Sequence, residues 1–156
     1  MKLWTIYLAL FILTCFTTCN KGPLCSAPGG NRGIIESSYS IGNSFCVDFN
    51  ERNFVARNDS EFRQIYTISK QWDDCRNFEM PEVDFSKYSL LGQQAGTCKG
   101  GNFLRTVTKN EAEKKIIYTV QAKCCGYNKV LLMSKNIVLV PKIPQDYTVE
   151  FILEED

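Results

Sequence analysis

A regular alternation of apolar and polar residues marks the second half of the chain. Between residues 115 and 124 one face is apolar at every second position, which is the pattern of a half-buried β-strand. Residues 102–108 form a similar run, and the two runs predict a β-hairpin with its turn at 109–114. The expected core-facing side chains are Ile116, Tyr118, Val120, Ala122 and Cys124.

Shorter apolar runs predict further strands on both sides of this hairpin. Residues 93–101 are rich in glycine and contain Cys98, so we expect a loop there. Pro141 and Pro144 interrupt the last apolar stretch, because proline removes a donor from a strand ladder. The expected strands are 45–49, 54–57 (with a turn at 50–53 before it), 89–92, 130–133, 136–140 and 147–151.

One segment, residues 59–74, has the pattern of an α-helix. Asn58, with Glu61 three residues later, resembles a capping box, which satisfies free N–H groups of the first turn. Apolar side chains recur near one helical face, and we expect that face to pack in the core. These side chains are Phe62, Ile65, Tyr66 and Trp72.

Together these elements predict an α+β fold with one helix and about six or seven strands. We expect a mostly antiparallel, partly curled β-sheet stapled by disulfides. The chain has 156 residues, enough for a single domain with its own core, and we place that domain at 41–156. Residues 19–40 are rich in glycine, proline, asparagine and serine over most of their length, which predicts a tether.

The amino-terminal residues have the features of an export signal. Lys2 precedes the apolar run 3–16, and the small residues Thr17 and Thr18 come before Cys19. A helix over the apolar run reaches only about 21 Å, short of a bilayer core of about 30 Å. Residues 1–18 therefore predict a signal peptide. The run Phe16 to Cys19 resembles a relaxed lipobox of a bacterial lipoprotein, which implies that Cys19 carries acyl chains; the alternative is a plain signal peptide with Cys19 as an ordinary thiol.

The cysteines predict disulfides. The chain has eight, of which Cys15 belongs to the predicted signal peptide and Cys19 to the lipid anchor. Six cysteines then remain, and an even number is common in exported proteins that form disulfides. The spacing of the cysteines alone does not determine which of them pair. The remaining cysteines are Cys25, Cys46, Cys75, Cys98, Cys124 and Cys125.

Position in the predicted strand narrows the pairing. Cys124 and Cys125 are adjacent and point to opposite faces, so they should have different partners, for which Cys98 and Cys75 are the candidates. A bond between Cys25 and Cys46 would then fasten the amino-terminal segment. No C-x-x-C pair is present in the sequence, which favours structural disulfides over a metal or redox site.

Composition and charge narrow the function. The chain has 18 Lys and Arg against 17 Asp and Glu, so it has no basic excess that would attract nucleic acid. It has no histidine, which excludes Ser-His and Cys-His catalytic pairs and histidine-containing zinc sites. We therefore expect a protein that is not an enzyme and that uses neither metal nor cofactor.

Two motifs resemble one family. Residues 81–92 read PEVDFSKYSLLG and residues 140–144 read VPKIP. These runs are similar to the entry and exit motifs of the PrcB C-terminal-like family, over about residues 54–152. The family comprises small bacterial envelope proteins, often lipoproteins, and is named for an accessory subunit of a surface protease complex. The resemblance implies a non-catalytic, protein-associating envelope domain. The chain departs from the family pattern in the glycine-rich loop, which has Cys98 where the family pattern has a threonine-glycine-glycine run.

Four residues are candidates for binding. Asp84 lies in the family-like motif, although aspartate at such a position also caps turns. Lys142 lies between two prolines on a segment expected to be exposed, where solubility is the simpler explanation. Phe103 and Arg105 alternate on a predicted strand, and aromatic residues and arginine are enriched at interfaces. If Phe103 is buried, it is a core residue.

These observations predict an exported envelope lipoprotein whose domain binds another envelope protein. The expected location is the outer membrane, facing the periplasm or the cell surface, with the membrane contacted through the lipid. One alternative is a lipoprotein that binds a small molecule or glycan, for which stacking aromatics are available. A second is a secreted, disulfide-rich protein without an anchor, and a third is an enzyme that uses carboxylates or a free thiolate.

Overall fold

The computed structural model describes residues 29–98, 101–124 and 131–155. Within these ranges the fold is mostly β, with ten strands, one α-helix and two short 3₁₀ helices. The predicted class is confirmed, but the strand count is higher than expected. The strands are β1 (Gly30–Gly33), β2 (Ser37–Ser38), β3 (Val47–Phe49), β4 (Asn53–Ala56), β5 (Tyr66–Ile68), β6 (Tyr88–Cys98), β7 (Asn102–Asn110), β8 (Lys115–Lys123), β9 (Leu131–Pro141) and β10 (Thr148–Glu155); α1 is Asp59–Gln64, and the 3₁₀ helices are Ser44–Cys46 and Asp73–Cys75.

The strands form two four-stranded sheets and one small two-stranded sheet. The first sheet has the order β1-β7-β8-β10, with the predicted hairpin β7–β8 at its centre and a parallel strand at each edge. The second sheet has the order β2-β9-β6-β4 and is antiparallel throughout. The third pairs β3 with β5. The larger sheets are not curled as predicted. After β8 the chain crosses from the first sheet to β9 in the second, and β10 returns to the first.

The main core lies where the two large sheets face each other. Leu91 and Val138, from the second sheet, pack with Val107 and Tyr118, from the first, and all are fully buried. The alternating face predicted for β8 is confirmed over residues 116–122, whereas Cys124, just past the end of the strand, is exposed. Burial of these side chains is the main favourable term in folding.

A second core covers the opposite face of the second sheet. Phe62 of α1 packs with Phe54 and Leu90 from that sheet. The ring of Phe54 lies directly over Gly92, where an added Cβ would come within 2.1 Å of the ring. Phe49 of the small sheet stacks on Phe54 with ring centroids 4.9 Å apart. The glycine therefore lets an aromatic layer approach the sheet.

The α-helix is shorter than predicted. Its cap is confirmed, because the Glu61 N–H donates to Asn58 Oδ1 at 2.8 Å. The helix ends at Gln64, since the next residues form β5 and pair with β3. Tyr66, expected on the helical stripe, is therefore on a strand. Trp72, also expected in the core, is 60% exposed.

The runs at 45–49 and 54–57 do contain the strands β3 and β4, of which β3 pairs with β5 and β4 pairs with β6. One other local prediction was wrong. The predicted glycine loop at 93–101 is strand as far as Cys98, since β9 pairs with β6 along its entire length. Cross-strand pairing thus overrides the weak strand propensity of glycine. The runs at 130–133 and 136–140 are parts of the single strand β9.

Residues 29–40 contain two short strands that belong to the sheets. β1 pairs in parallel with β7, and β2 pairs with β9. Both strands fall within 19–40, the segment predicted as a tether, because glycine and serine composition does not prevent pairing with the edge of an existing sheet. The predicted signal peptide, Cys19 and residues 19–28 of the tether lie outside the described residues.

The disulfides differ in part from the expected pairing. Cys46 bonds to Cys75, and both are fully buried between the two 3₁₀ helices. The prediction of a Cys25–Cys46 bond was therefore wrong. The pairing of β3 with β5 brings the segment before β3, which contains Cys46, close to the segment after β5, which contains Cys75. Cys98 bonds to Cys124 and joins the end of β6 to the end of β8, as one of the expected combinations. Cys25 and Cys125 lie outside the described residues.

Candidate functional site

The four predicted binding residues lie in two separate groups. Asp84 and Lys142 lie close to the start of β6, where the chain segments 84–87 and 141–143 meet. Phe103 and Arg105 lie together on β7, in the other sheet. Each group has a different set of contacts.

Asp84 closes the turn that leads into β6. Its carboxylate accepts the Ser86 N–H at 3.1 Å and forms an ion pair with Lys87 at 2.8 Å. The hydrogen bond from the Lys87 side chain, followed by that of Ser86, lowers the pKa of the Asp84 carboxyl to about 2. All described contacts of this carboxylate are thus within its own turn.

Lys142 joins three chain segments although it is exposed. Its Nζ donates to the carbonyl oxygens of Arg57 and Phe85, the second at 2.6 Å. Its backbone N–H donates to the Lys87 carbonyl at 2.8 Å. These contacts hold the end of β9 against the turn of Asp84.

Arg105 reaches across to the second sheet. Its Nε donates to Oδ1 of the fully buried Asn136 on β9 at 2.9 Å, and its guanidinium lies 5.9 Å from the ring centre of Phe103. The ring of Phe103 is half-buried and packs against the main core. This arrangement fixes the guanidinium near the edge of β9 on the side of β2.

A cavity of about 340 Å³ opens at this place, between β9 and the segment that follows β2. Two cationic side chains, Arg105 and Lys135, contribute to its wall, together with hydroxyl and apolar groups, and none of the lining residues is acidic. Among the described residues this gives the cavity a positive character. The other lining residues are Ser38, Tyr39, Ser40, Ile41, Ser44, Met133, Ser134 and Ile137.

Lys135 is held by backbone groups rather than by a carboxylate. Its Nζ donates to the carbonyls of Ser44, at 3.2 Å, and of Val47, and it lies 5.0 Å from the ring centre of Phe49. Burial lowers the pKa of this ammonium, partly opposed by the charge of Asp48. No local pattern indicates where this residue lies, because it is distant along the chain from the segment it contacts.

The edge of β9 beside the cavity is only partly paired. β2 covers two positions, Ser37 opposite Leu139 and Ser38 opposite Val138, and the Tyr39 N–H donates to the Ile137 carbonyl. After Tyr39 the chain departs. Within the described ranges, no backbone hydrogen bond reaches the same edge of β9 between residues 131 and 135.

Three consecutive apolar side chains are exposed on this part of β9. Leu131 is 68% exposed, Leu132 48% and Met133 62%. Leu131 and Met133 lie on one face of the strand, across Gly96 of β6, and Leu132 lies on the other. Exposed apolar side chains on both faces of an open strand end are typical of an interaction surface.

Comparison of the chain with protein-family models, curated proteins and solved structures found no match. The resemblance to the PrcB C-terminal-like family therefore stays a prediction. In the part of the chain that the structure describes, no group of three or more acidic or cysteine side chains is placed to hold a metal ion. No helix in the described part is long and apolar enough to cross a bilayer.

Proposed function

We propose that this protein is an exported envelope lipoprotein, anchored through Cys19, whose β-rich domain binds a protein partner without catalysis. The observation that carries the proposal is the exposure of three apolar side chains, Leu131, Leu132 and Met133, at the incompletely paired end of a strand. Aromatic residues and methionine are enriched in protein interfaces, and apolar side chains at such a site lose their contact with water on binding.

The disulfides support the export part of this proposal. Disulfides persist in oxidising compartments outside the cytoplasm, and the Cys46–Cys75 and Cys98–Cys124 bonds connect separate elements of the fold. The amino-terminal sequence supplies the anchor. An acylated Cys19 would place the domain next to a membrane, with residues 20–28 between lipid and domain.

Site-specific photo-crosslinking in the native envelope tests the binding function. A photoreactive residue is placed at Leu132 in the full chain, and a second version carries it at Glu113, an exposed turn position remote from the end of β9. We expect one discrete, saturable protein adduct from position 132 and none from position 113. The absence of an adduct from position 132, or identical adducts from both, would contradict the proposal.

The anchor is tested by the intact mass of the protein purified from native membranes. We expect a chain that begins at Cys19 with acyl chains attached. Alkylation without reductant should not label the disulfide cysteines. An unacylated chain beginning at another residue would support the secreted alternative instead.

The cavity favours a second candidate function, the binding of a small anionic molecule. Its positive wall, formed by Arg105 and Lys135, and its serine hydroxyls are suited to a carboxylate such as that of a uronic acid. Calorimetric titration of the full chain with galacturonate tests this function, and Arg105→Gln should weaken any binding found.

A further inference from the structure

We propose that the edge of β9 from Leu131 to Lys135 binds an extended acidic segment of the partner, which pairs as an additional strand in line with β2. A carboxylate of that segment would enter the cavity lined by Arg105 and Lys135. The inference rests on the proposed protein-binding function and specifies the chemistry of the partner.

The direction of the backbone groups on β9 supports strand addition. The carbonyl oxygens of Leu139 and Ile137 accept hydrogen bonds from Glu36 and Tyr39, on the β2 side. Alternate residues of a strand direct their N–H and C=O groups to the same side, so Lys135, Met133 and Leu131 present theirs on that side as well. This row continues the ladder that β2 begins.

The length and composition of the open edge are suited to a peptide. Residues 131–135 span about 17 Å, the length of a short strand. Edge strands are commonly protected by proline, by a bulge or by several charges. Here Lys135 is the one charged residue in 131–135, and the other residues are the apolar Leu131, Leu132 and Met133 and the neutral Ser134. An exposed edge of this kind is a template for β-augmentation, in which backbone bonds supply affinity and side-chain pockets supply specificity.

The cavity determines which side chain the partner needs. Arg105 uses Nε for Asn136, so its terminal nitrogens have no protein partner among the described residues. Lys135 uses two donors for the carbonyls of Ser44 and Val47, which leaves one N–H of the ammonium. A carboxylate accepts hydrogen bonds from both groups and neutralises charge that no acidic lining residue balances. The chemistry therefore specifies an acidic side chain flanked by apolar or β-branched residues.

Two libraries of blocked heptapeptides test the inference on the full chain in detergent micelles. One library has glutamate fixed at the centre, the other has glutamine, and the remaining positions are varied among threonine, valine, isoleucine, phenylalanine and tyrosine. We expect saturable binding that selects members of the glutamate library. The glutamine counterparts of the selected peptides should bind about tenfold more weakly, because a charge-assisted hydrogen bond is lost.

Variants separate the roles of the edge and the cavity. Met133→Pro removes an N–H on the open side of β9, where proline is tolerated in a sheet, and should abolish binding of the selected peptides. Met133→Ala keeps that N–H and should retain most of the affinity. Arg105→Gln should remove the preference for glutamate, whereas Arg63→Gln, on the remote helix α1, should leave it unchanged. Circular dichroism checks that each variant keeps its β content.

The outcomes distinguish this inference from the proposed function. If both libraries fail to bind, or if Met133→Pro binds as well as Met133→Ala, strand addition is overturned, while an adduct from position 132 would still support the proposed function. Binding of free galacturonate as tight as that of the best peptide, insensitive to Met133→Pro, also overturns it in favour of a small-anion site. Loss of the adduct together with failure of the libraries would remove both proposals.

Discussion

The hydroxyl of Tyr118 donates a hydrogen bond to the backbone carbonyl of Asn136 at 3.0 Å and so connects the two large sheets through the core. Tyr118 is fully buried on β8, and Asn136 is fully buried on β9. Burial raises the pKa of the Tyr118 hydroxyl, which therefore stays protonated and able to donate. The side chain of Asn136 in turn accepts from Arg105, so the contact between the sheets also positions the wall of the cavity.

Removal of this hydroxyl should destabilise the protein. We expect Tyr118→Phe to lower the free energy of unfolding by about 1–2 kcal/mol, because a buried hydrogen bond between the sheets is lost. Urea denaturation measures the change. Tyr66→Phe is the control, since the Tyr66 hydroxyl forms no hydrogen bond with the described residues, and it should have little effect. Equal losses in the two variants would contradict the role given to Tyr118.

The Cys46–Cys75 disulfide should contribute strongly to stability. The bond joins residues separated by 29 positions, for which loop entropy predicts about 3.5 kcal/mol. Because both cysteines are fully buried, the double variant Cys46→Ser and Cys75→Ser also buries two hydroxyls and should lose more than this. Urea denaturation provides the measurement.

The second disulfide is the matched comparison for that experiment. Cys98 and Cys124 are separated by 26 positions, so the entropic contribution is similar, but Cys124 is exposed. We expect the double serine variant of this pair to lose less stability than the Cys46–Cys75 variant. The reverse order would show that the burial argument is wrong.

Substitution of Gly92 should disturb the aromatic layer on the outer face of the second sheet. An added Cβ would meet the ring of Phe54, so Gly92→Ala should destabilise the fold by about 1–3 kcal/mol. Thermal unfolding measures the effect. Gly42→Ala is the control, because no atom lies within 4 Å of the position that its added methyl group would take. The double variant with Phe54→Leu should recover part of the loss; if it recovers none, the clash is not the cause.

The turn at Asp84 should make stability depend on pH in the acidic range. The pKa of this carboxyl is lowered to about 2 in the folded protein from about 3.8. A lowered pKa means that the folded state favours the ionised form, so the contribution is complete above about pH 4 and is lost as the pH falls to about 2. We expect the wild type to exceed Asp84→Asn in stability at pH 6 and the difference to disappear near pH 2. An NMR titration of the carboxyl gives its pKa directly, and an ordinary value would contradict the turn geometry.

The sequence patterns correctly predicted those elements that are formed by residues close together in the sequence. The β7–β8 hairpin is confirmed because its alternation and its turn are contiguous, and the cap of α1 is confirmed because Asn58 and Glu61 are three residues apart. The prediction of a glycine loop was wrong because β9 pairs with β6 and holds it extended. Each residue of β9 follows its partner on β6 by more than thirty positions in the chain. The helix predicted after residue 64 is replaced by β5, because residues 66–68 pair with β3, which is distant along the chain.

The candidate site was predicted only in part. Arg105 was chosen from its place on an alternating strand, and it does lie on the cavity wall. Lys135 and the segment 38–44 meet it there only after β2 and β9 have paired, which no local pattern indicates. The exposed end of β9 was expected to be an ordinary apolar strand, because composition does not reveal which end of a strand remains uncovered.

The parallel pairing of β1 with β7 sets a limit on when β1 can join its sheet. Gly30 is in register with Leu104, so β1 has no partner until the hairpin strand is available. A chain delivered amino-terminus first, from a ribosome or through a membrane channel, presents β1 long before β7. The first of the described strands must therefore wait without this partner until the chain as far as β7 has been delivered.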